Sequence, residues 1–354
     1  MVDTLQGSLE RLTEYLPSSW STTTRTDVRI GDGSVDAIVD IVAPDGAQAT
    51  LLVEAKPTVE PRAVADLAAR TQILAELLAD DGPLPARVVV ARYLSRPVRE
   101  RLEAAGIGYV DATGNLMLRL ERPALFLRDV GANRDPGRGP GRPQGTLKGA
   151  TAARLVRALA DFKPPLSVPE LARLSGASIG ATYRMVDFLE REDLIAREPR
   201  SPISRVNWRG LIEHWGDDLG LGQTERMTLY LEPRGIPELL TKLRMARDQR
   251  YVLTGTLAAR YYDEQVPPRL AMIYADPVGQ LIDQLGLRPS PAGNVLVGVP
   301  IDDVVFERAT SISGLEIAAP SQIAVDLLGG PGRGPSEAEA LLNWMEQNQD
   351  AWRK

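Results

Sequence analysis

The chain has 354 residues, of which 44% are hydrophobic and 25% are charged, so we expect two or three domains that each bury a core. It contains no cysteine, which excludes disulfides, zinc–thiolate sites and cysteine nucleophiles. Its one histidine, His214, lies beside Trp215 and is expected to be a packing residue, which disfavours histidine-based metal clusters and a Ser-His-Asp triad. Metal chemistry in this chain would therefore use carboxylates, the ligands that suit Mg²⁺.

The net charge of −6 is unevenly distributed along the chain. Residues 134–210 contain 14 Lys and Arg against 8 Asp and Glu, a local charge of +6 that leaves −12 for the remainder. A basic middle between acidic ends indicates local contact with nucleic acid. No apolar run is long enough to span a bilayer, and residues 1–16 predict an amphipathic helix rather than a signal peptide. We therefore expect a cytoplasmic, nucleoid-associated protein with no membrane partner.

Residues 1–130 predict the element order α-β-β-β-α-β-α-β. Helical spacing is present at Leu5, Leu9, Leu12 and Leu16. Strands are predicted at 24–30, 35–42, 50–56, 86–93 and 107–120, and further helices at 61–78 and 96–106. The stretch from Tyr109 to Asn115 is either a strand followed by a turn or a polar loop that touches nucleic acid. Residues 131–147 are rich in Gly, Pro and Arg, which predicts a flexible linker.

Residues 35–56 predict a hairpin whose two faces differ in polarity. The odd-numbered positions of both strands are apolar, which predicts a core face, and the other face carries Asp36, Asp40, Glu54 and Lys56. The loop Pro44-Asp45-Gly46 predicts a three-residue turn, a register that sets Asp36 opposite Glu54. Facing carboxylates repel each other unless a cation lies between them. Asp40 lies about 13 Å further along the strand, so we favour Asp36 as the partner of Glu54.

This order of elements, with Asp36 on the second strand and Glu54-x-Lys56 on the third, resembles the PD-(D/E)XK, or restriction-endonuclease-like, family over residues 1–128. The resemblance implies that Asp36, Glu54 and Lys56 are catalytic. The two carboxylates would bind Mg²⁺ or Mn²⁺, and Lys56 would orient the attacking water. Val35 stands where the family often has proline. A Glu-x-Lys triplet also arises by chance about once in such a chain, and nuclease-like folds also serve as binding platforms, in which case no cofactor is expected.

Residues 148–212 predict three helices followed by a hairpin. Ser167 and Glu170 form a capping box for the second helix, and Ser178 caps the third. The spacing of the third helix predicts a buried stripe of Ile179, Tyr183, Val186 and Leu189 and an outward face of Ser178, Ala181, Thr182 and Arg184.

The stretch from Leu166 to Arg197 resembles a winged helix-turn-helix of the IclR and MarR regulator types, although Asp193 stands where those families usually have glycine. The resemblance implies that the third helix enters the major groove of double-stranded DNA. Gly141-Arg142-Pro143 in the linker resembles the centre of an AT-hook; a solvated linker is the other interpretation. The candidate DNA contacts are Ser178, Thr182, Tyr183 and Arg184 on the third helix, Arg197, Arg200 and Arg205 in the wing, and Arg138 and Arg142 in the linker.

Residues 224–354 predict a second α/β region. Two of its stretches, residues 250–276 and 321–342, resemble the C-terminal region of AbiEi-type antitoxins, which implies a nucleotidyltransferase-like fold. An active nucleotidyltransferase needs paired acids on the strand after its Gly-Ser or Gly-Gly turn. Here Gly255-Thr256 fits that turn loosely, and only Asp276 follows the next strand. We therefore expect a non-catalytic domain that binds a protein partner or forms a homodimer.

The predicted protein is thus an α/β multidomain chain. It has a nuclease-like domain at 1–130, a linker at 131–147, a winged helix-turn-helix at 148–212 and an AbiEi-like domain at 224–354. The predicted function is a double-stranded-DNA-binding regulator of the transcriptional, antitoxin or phage-defence kind. The alternative is a Mg²⁺-dependent DNA endonuclease, and a scaffold without nucleic acid is disfavoured by the basic middle.

Overall fold

The computed structural model describes residues 7, 11–80, 82–132, 147–219, 227–246, 248–262, 270–330 and 332–354. The chain forms two compact units, residues 1–142 (unit 1) and residues 143–354 (unit 2). Within the described ranges, no helix is both long enough and apolar enough to cross a membrane.

The described part of unit 1 is built on one seven-stranded sheet whose strands follow each other in chain order. The strands are β1 (Ser21–Ile30), β2 (Gly33–Val42), β3 (Gln48–Lys56), β4 (Ala86–Ala91), β5 (Gly108–Asp111), β6 (Leu116–Leu120) and β7 (Leu125–Asp129). The helices are α1 (residues 11–15), α2 (Val64–Ala79) and α3 (Arg96–Ala104). The β3–β4 and β4–β5 pairs are parallel because α2 and α3 cross over between them; the other pairs are antiparallel. The predicted element order is confirmed up to the last strand region, which forms both β5 and β6, and the structure adds β7, which the sequence does not predict.

The hairpin of β2 and β3 has the predicted register. The Ala43 carbonyl accepts the Gly46 N–H and the Ala43 N–H donates to Ala47, both at 2.9 Å, and Gly46 has a φ of +82°. The ladder keeps this offset from Val42 opposite Gln48 to Ala37 opposite Val53, and Asp36 and Glu54 are the next residues of the two strands. The turn residues therefore determine which side chains face each other.

Helices cover both faces of this sheet. Leu12 of α1 and the following Leu16 pack against the odd-numbered residues of β2 and β3. On the even-numbered face, Ile38 and Leu52 are 0% exposed and cluster with Leu74 of α2. The expectation that only the odd-numbered face is core is wrong, because apolar residues alternate with the acids on the even-numbered face and α2 buries them.

Unit 2 begins with the winged-helix elements. These are α4 (Ala150–Asp161), α5 (Val168–Ser175), α6 (Ile179–Arg191), β8 (Ile195–Arg197), β9 (Ile203–Val206) and α7 (Trp208–Leu219). The Ser167 hydroxyl accepts the Glu170 N–H at 3.2 Å, which confirms the predicted cap of α5, and Gly176 ends this helix with a φ of +61°. His214 packs edge to face on Phe188 with ring centroids 6.0 Å apart, the packing role predicted for it.

The rest of unit 2 is a mixed α/β region, as predicted for residues 224–354. Its strands are β10 (Met227–Leu231), β11 (Tyr251–Thr254), β12 (Ala271–Ala275), β13 (Arg288–Pro289), β14 (Val295–Gly298), β15 (Thr310–Ile312) and β16 (Leu315–Ile317). Its helices are α8 (Ile236–Met245), α9 (Gly255–Ala259), α10 (Val278–Leu285), α11 (Pro320–Leu328), α12 (Gly334–Gln347) and α13 (Gln349–Trp352). The described strands form one sheet in the order β13-β10-β14-β12-β11-β16-β15. One hydrophobic cluster joins this region to the winged helix, including Leu155 and Val186 on one side and Leu253 and Ile323 on the other.

A buried arginine connects the two parts of unit 2. Arg157 of α4 is 2% exposed. Its guanidinium donates to Asp161 at 3.0 Å, to the side-chain oxygen of Gln322 at 3.1 Å and to the Val304 carbonyl at 3.0 Å. Ser321 donates to the second oxygen of Asp161. Both charges of this buried pair therefore have the additional hydrogen bonds that such a pair needs.

Two further arginines bind the C-terminal end of α4. Arg353 donates to the carbonyls of Ala160 at 2.8 Å and Phe162 at 2.9 Å, and Arg308 donates to the Asp161 carbonyl at 2.6 Å. The last carbonyls of a helix have no partner within the helix and carry partial negative charge. Cationic donors from distant parts of the chain supply those partners here.

We expect the substitution Arg157→Ala to lower the free energy of unfolding of unit 2 by about 3–5 kcal/mol, because it leaves the Asp161 carboxylate buried without its partner. Urea denaturation followed by the fluorescence of the unit 2 tryptophans measures this. The control is Arg288→Ala, which removes an exposed arginine of β13 and should change the free energy by less than about 0.5 kcal/mol. A loss below about 1 kcal/mol for Arg157→Ala would contradict the role assigned to the pair.

Candidate nucleic-acid interface

The helix-turn-helix geometry of α5 and α6 follows from the residues at the turn between them. Gly176 ends α5 in the left-handed region, and Ser178 starts α6 with its hydroxyl accepting the Ala181 N–H at 3.3 Å. The predicted cap of α6 is confirmed. A glycine end followed within two residues by a serine cap makes the turn short and fixes where α6 begins.

The buried side of α6 differs from the prediction. Val186 and Leu189 are buried as expected, but Ile179 and Tyr183 are 49% and 47% exposed. Thr182 is 0% exposed, and its hydroxyl donates to the Ser178 carbonyl at 3.0 Å. The predicted outward position of Thr182 is therefore wrong, and so is the buried position of Ile179 and Tyr183. In the first two turns of α6, Thr182 lies on the buried face of the helix, and Ile179 and Tyr183 lie on the exposed face.

The outer face of α6 combines apolar, aromatic and basic groups. Its exposed residues are Ser178, Ile179, Gly180, Tyr183, Arg184 and Asp187. Among the described residues, no ion pair is formed by Arg184. Apolar side chains can contact the thymine methyl group, and a free guanidinium can bind guanine through two hydrogen bonds. This face therefore has the groups needed to read base edges in a major groove.

The three wing arginines have different environments. The Arg197 side chain is 17% exposed and pairs with Asp187 at 2.7 Å and Glu190 at 3.2 Å, both on α6. Arg200 is exposed at the tip of the wing and has a φ of +63°. Arg205 is 53% exposed and pairs with Asp193 at 2.8 Å. In this arrangement Arg197 fastens the wing to α6, which leaves Arg200 and Arg205 as the wing cations that can reach a ligand.

Asp193 takes the backbone conformation that a glycine would give at the start of the wing. Its φ is +53°, and its carboxylate accepts the Arg205 bond. A short acidic side chain tolerates the left-handed region better than most. The candidate linker residues Arg138 and Arg142 lie outside the described residues.

Comparison with known families addresses this region. Residues 151–199 match the IclR helix-turn-helix domain. The match extends from α4 to the first strand of the wing, so the chain contains an IclR-type helix-turn-helix domain, as the sequence predicts. No curated protein matches the chain. An IclR-type helix-turn-helix domain supports binding to double-stranded DNA.

The candidate nuclease residues of unit 1 lie together at the end of the β2–β3 hairpin. Glu54 is 1% exposed; Lys56 Nζ lies 2.6 Å from one carboxylate oxygen and an Arg70 nitrogen lies 2.7 Å from the other. Asp36, on the facing strand, accepts the Ala55 N–H at 2.7 Å. Sequence reasoning missed Arg70 because it belongs to α2, and no local pattern links a mid-helix arginine to a distant strand.

The observed arrangement of these residues does not fit a bound Mg²⁺ or Mn²⁺. Such ions take one or two carboxylates together with waters. Here both oxygens of Glu54 already have cationic partners. Within the described ranges, no group of three or more His, Cys, Asp and Glu side chains is placed to hold a metal. A cation at Glu54 would have to displace Arg70, whose side chain is 50% exposed.

The polar stretch after β5 is structural. Asp111 and Asn115 are both 0% exposed. Asp111 accepts hydrogen bonds from the Leu94 N–H at 2.9 Å, from Thr113 and from the Asn115 amide at 2.8 Å. Asn115 in turn accepts a hydrogen bond from Arg99. The two side chains are used inside unit 1, so the interpretation as a turn is correct and contact with nucleic acid is excluded for them.

A second buried acid lies between the winged helix and the C-terminal sheet. Asp326 of α11 is 3% exposed and accepts hydrogen bonds from Thr254, from Tyr274 at 3.1 Å and from the Gln322 amide at 3.0 Å. Burial raises the pKa of Asp326 to about 6, although these hydrogen bonds oppose the shift. A signal was present in the sequence, since Asp326 is the one charged residue of the apolar stretch from Ile323 to Leu328.

We expect the Asp326 carboxyl to make unit 2 less stable as the pH rises from about 4 to about 6. The unfolded chain releases this proton near pH 4, whereas the folded chain holds it to about pH 6. The contribution of the Asp326 carboxyl to the free energy of unfolding is therefore largest below pH 4. It falls between pH 4 and pH 6 and is constant above pH 6. Urea denaturation at pH 4, 5, 6 and 7 should show this fall in the wild type relative to Asp326→Asn. The control Asp276→Asn changes an exposed carboxylate and should show the same pH dependence of the free energy of unfolding as the wild type. If Asp326→Asn also shows the wild-type pH dependence, the raised pKa of Asp326 is contradicted.

Proposed function

We propose that the chain is a double-stranded-DNA-binding regulator whose IclR-type helix-turn-helix reads DNA with α6. The observation that carries this proposal is the outer face of α6, where Ile179, Tyr183 and Arg184 are exposed beside the capped first turn. Large apolar side chains that are exposed together are typical of a surface that binds another molecule. On a helix that follows a helix-turn-helix turn, that contact is the floor of a major groove.

In this proposal the wing contributes phosphate contacts. Arg200 at the wing tip and Arg205 on β9 would bind the DNA backbone, which positions the domain without reading sequence. Arg197 has a different task. Its ion pairs with Asp187 and Glu190 reduce the negative charge that α6 would otherwise carry toward the phosphates.

We further propose that the regulator is of the transcriptional, antitoxin or phage-defence kind and that its C-terminal region is a non-catalytic, nucleotidyltransferase-like platform for a protein partner or a second copy. Support comes from β12, the strand after the turn at Gly255-Thr256. Its residues Ala271–Ala275 include no acid, and Asp276 follows the strand in an exposed position. Two metal-binding carboxylates on that strand would be required for nucleotidyl transfer.

We expect Arg184→Ala and Arg200→Ala each to weaken DNA binding by about tenfold, through different contacts. A duplex selected from a random library by the full-length protein, titrated by fluorescence anisotropy at several salt concentrations, provides the assay. Loss of a phosphate contact at Arg200 should lower the affinity for all DNA sequences alike. It should also reduce the slope of log affinity against log salt concentration by about one. Loss of a base contact at Arg184 should reduce the preference for the selected site.

The matched control for this experiment is Arg288→Ala, which removes the same charge from the C-terminal sheet and should leave DNA affinity unchanged. The proposal is wrong if a variant with Arg184, Arg200 and Arg205 all changed to Ala binds the selected duplex as tightly as the wild type.

A second candidate function is a metal-dependent DNA endonuclease in unit 1. The observation that favours it is the register of β2 and β3, which ends next to Asp36 and Glu54, together with Lys56 at 2.6 Å from Glu54. In this alternative Asp36 and Glu54 would hold Mg²⁺ or Mn²⁺ after Arg70 has moved away from Glu54. If the alternative is incorrect, the chain needs no cofactor, and unit 1 is a nuclease-like fold without cleavage.

For the endonuclease alternative, we expect supercoiled DNA to be nicked in Mg²⁺ or Mn²⁺ by the wild type and not by Asp36→Ala, Glu54→Ala or Lys56→Ala. Asp40→Ala is the matched control, since Asp40 lies on the same strand but pairs with Arg25 at 3.0 Å. Agarose gels of supercoiled and linear substrates measure the outcome. The absence of nicking by the wild type in both metals, or equal nicking by Glu54→Ala, would exclude this function.

A further inference from the structure

The first turn of α6 has an open position on its outer face. Gly180 is exposed there, and a Cβ atom placed on this glycine would lie 3.6 Å from the Nη1 atom of Arg184, the one described side-chain atom within 4 Å of it. Residues three and four positions apart are neighbours on a helix surface. The neighbours of Gly180 on this face are therefore Tyr183 and Arg184, which are both exposed. The helix surface has a hollow at Gly180, bordered by an aromatic ring and a guanidinium.

The backbone of α6 does not require a glycine at position 180. Gly180 lies inside the helix and has no positive φ, unlike Gly176 at the end of α5. A glycine in a helix lowers its stability relative to alanine, so the fold gains nothing from this residue. Glycine is favoured where a ligand approaches the backbone closely, and the hollow at Gly180 is open to solvent.

The Arg184 guanidinium lies toward the N-terminal end of α6. Its Nη1 atom is next to Gly180, which is one turn before Arg184 in the helix. Asp187, three residues after Arg184, could attract the guanidinium in the other direction, but one of its oxygens pairs with Arg197 at 2.7 Å. The N-terminal end of a helix carries partial positive charge, which does not stabilise a cation. The guanidinium therefore gains free energy from an acceptor outside the protein.

The side chain beside this guanidinium indicates which acceptor fits. Ile179, the first residue of α6, is 49% exposed, so an apolar side chain lies in the same turn of the helix as the Arg184 guanidinium. An apolar side chain is unsuited to contact with charged phosphates, but it can contact the methyl group of thymine in the major groove. The acceptor next to it is then a base edge, and guanine offers a guanidinium two acceptors, O6 and N7.

We propose that the first turn of α6 reads a guanine and a thymine that lie within two base-pair steps of each other. Arg184 binds O6 and N7 of the guanine, Ile179 contacts the thymine methyl group, and Gly180 is a positioning residue that lets both base edges approach. The spacing follows from the helix, because one turn rises about 5.4 Å and base pairs stack about 3.4 Å apart. This inference rests on the proposed DNA-binding function and adds the bases that α6 recognises.

The experiment uses the full-length protein and the duplex selected from a random library, with one base replaced at a time. The analogue 7-deazaguanine lacks N7 but still pairs with cytosine, and uracil lacks the methyl group of thymine but still pairs with adenine. Fluorescence anisotropy measures the affinities of the wild type, Arg184→Ala, Ile179→Ala and Gly180→Leu. The matched controls are Ile73→Ala, at a 59% exposed residue of α2, and Gly279→Leu, at the exposed second residue of α10.

For the wild type, we expect 7-deazaguanine at one position to weaken binding about tenfold, and uracil within two base-pair steps of it to weaken binding about fourfold. Arg184→Ala should lose the response to 7-deazaguanine, and Ile179→Ala the response to uracil. Gly180→Leu should lose both responses but keep its weaker binding to an unrelated duplex. Both control variants should respond as the wild type does. Thermal denaturation verifies that every variant is folded.

The inference is overturned if no guanine of the selected duplex gives a response to 7-deazaguanine in the wild type, or if Arg184→Ala keeps that response. It is also overturned if Arg184→Ala weakens binding to the selected and the unrelated duplex equally, since Arg184 would then contact phosphate. In these cases the wild type still binds DNA, and the proposed function stands. A wild type that binds no duplex contradicts the proposed function itself, and the assignment of bases with it.

Discussion

Arg157 brings a positive charge into the core of unit 2, and the contact between α4 and the C-terminal region is organised around that charge. Removing a guanidinium from water costs several kcal/mol, so every nearby acceptor has to be in position. Asp161 on the same helix supplies the counter-charge, and Gln322 and Val304 supply acceptors from elsewhere in the chain. The winged helix can therefore adopt this core only together with α11 and the segment around Val304, which explains why both regions form one unit.

Unit 1 also contains a buried charge, but its partners are partly exposed. Glu54 is as buried as Arg157, but its partners Lys56 and Arg70 are partly exposed. The Lys56 ammonium and the Arg70 guanidinium can regain water contacts, but the buried Glu54 carboxylate then needs another cation in the place of the one that leaves. Arg157, in contrast, has no route to solvent. A cation from solution can therefore replace a partner of Glu54, whereas Arg157 keeps its partners as long as unit 2 is folded. The Glu54 site can change its ligand, and the Arg157 site only supports the fold.

Turn and cap residues in the sequence predicted the features that depend only on neighbouring residues, namely the hairpin register and the starts of helices. The loop at Asp45-Gly46 gave the register that ends next to Asp36 and Glu54, and Ser167 and Ser178 gave the starts of two helices. The burial of α6 was mispredicted, because periodicity defines the faces of a helix but not how far a neighbouring helix covers its first turns. Tyr183 fits an apolar stripe in the sequence, yet it is 47% exposed in the structure. Arg70 and Gln322 were missed because their partners are distant in the chain and leave no spacing to detect.

The surface charge of α6 shows why composition alone is a poor guide to an interface. Asp187 and Glu190 make the second half of this helix acidic in sequence, which would repel phosphate. Arg197 of the wing pairs with both, so their joint negative charge is reduced by one within the domain, and Arg184 remains as the free cation of the outer face. The basic middle of the chain therefore acts in two ways: some arginines cancel nearby acids, and only the remainder is available to DNA. Which arginines belong to which group depends on the fold of the wing against α6.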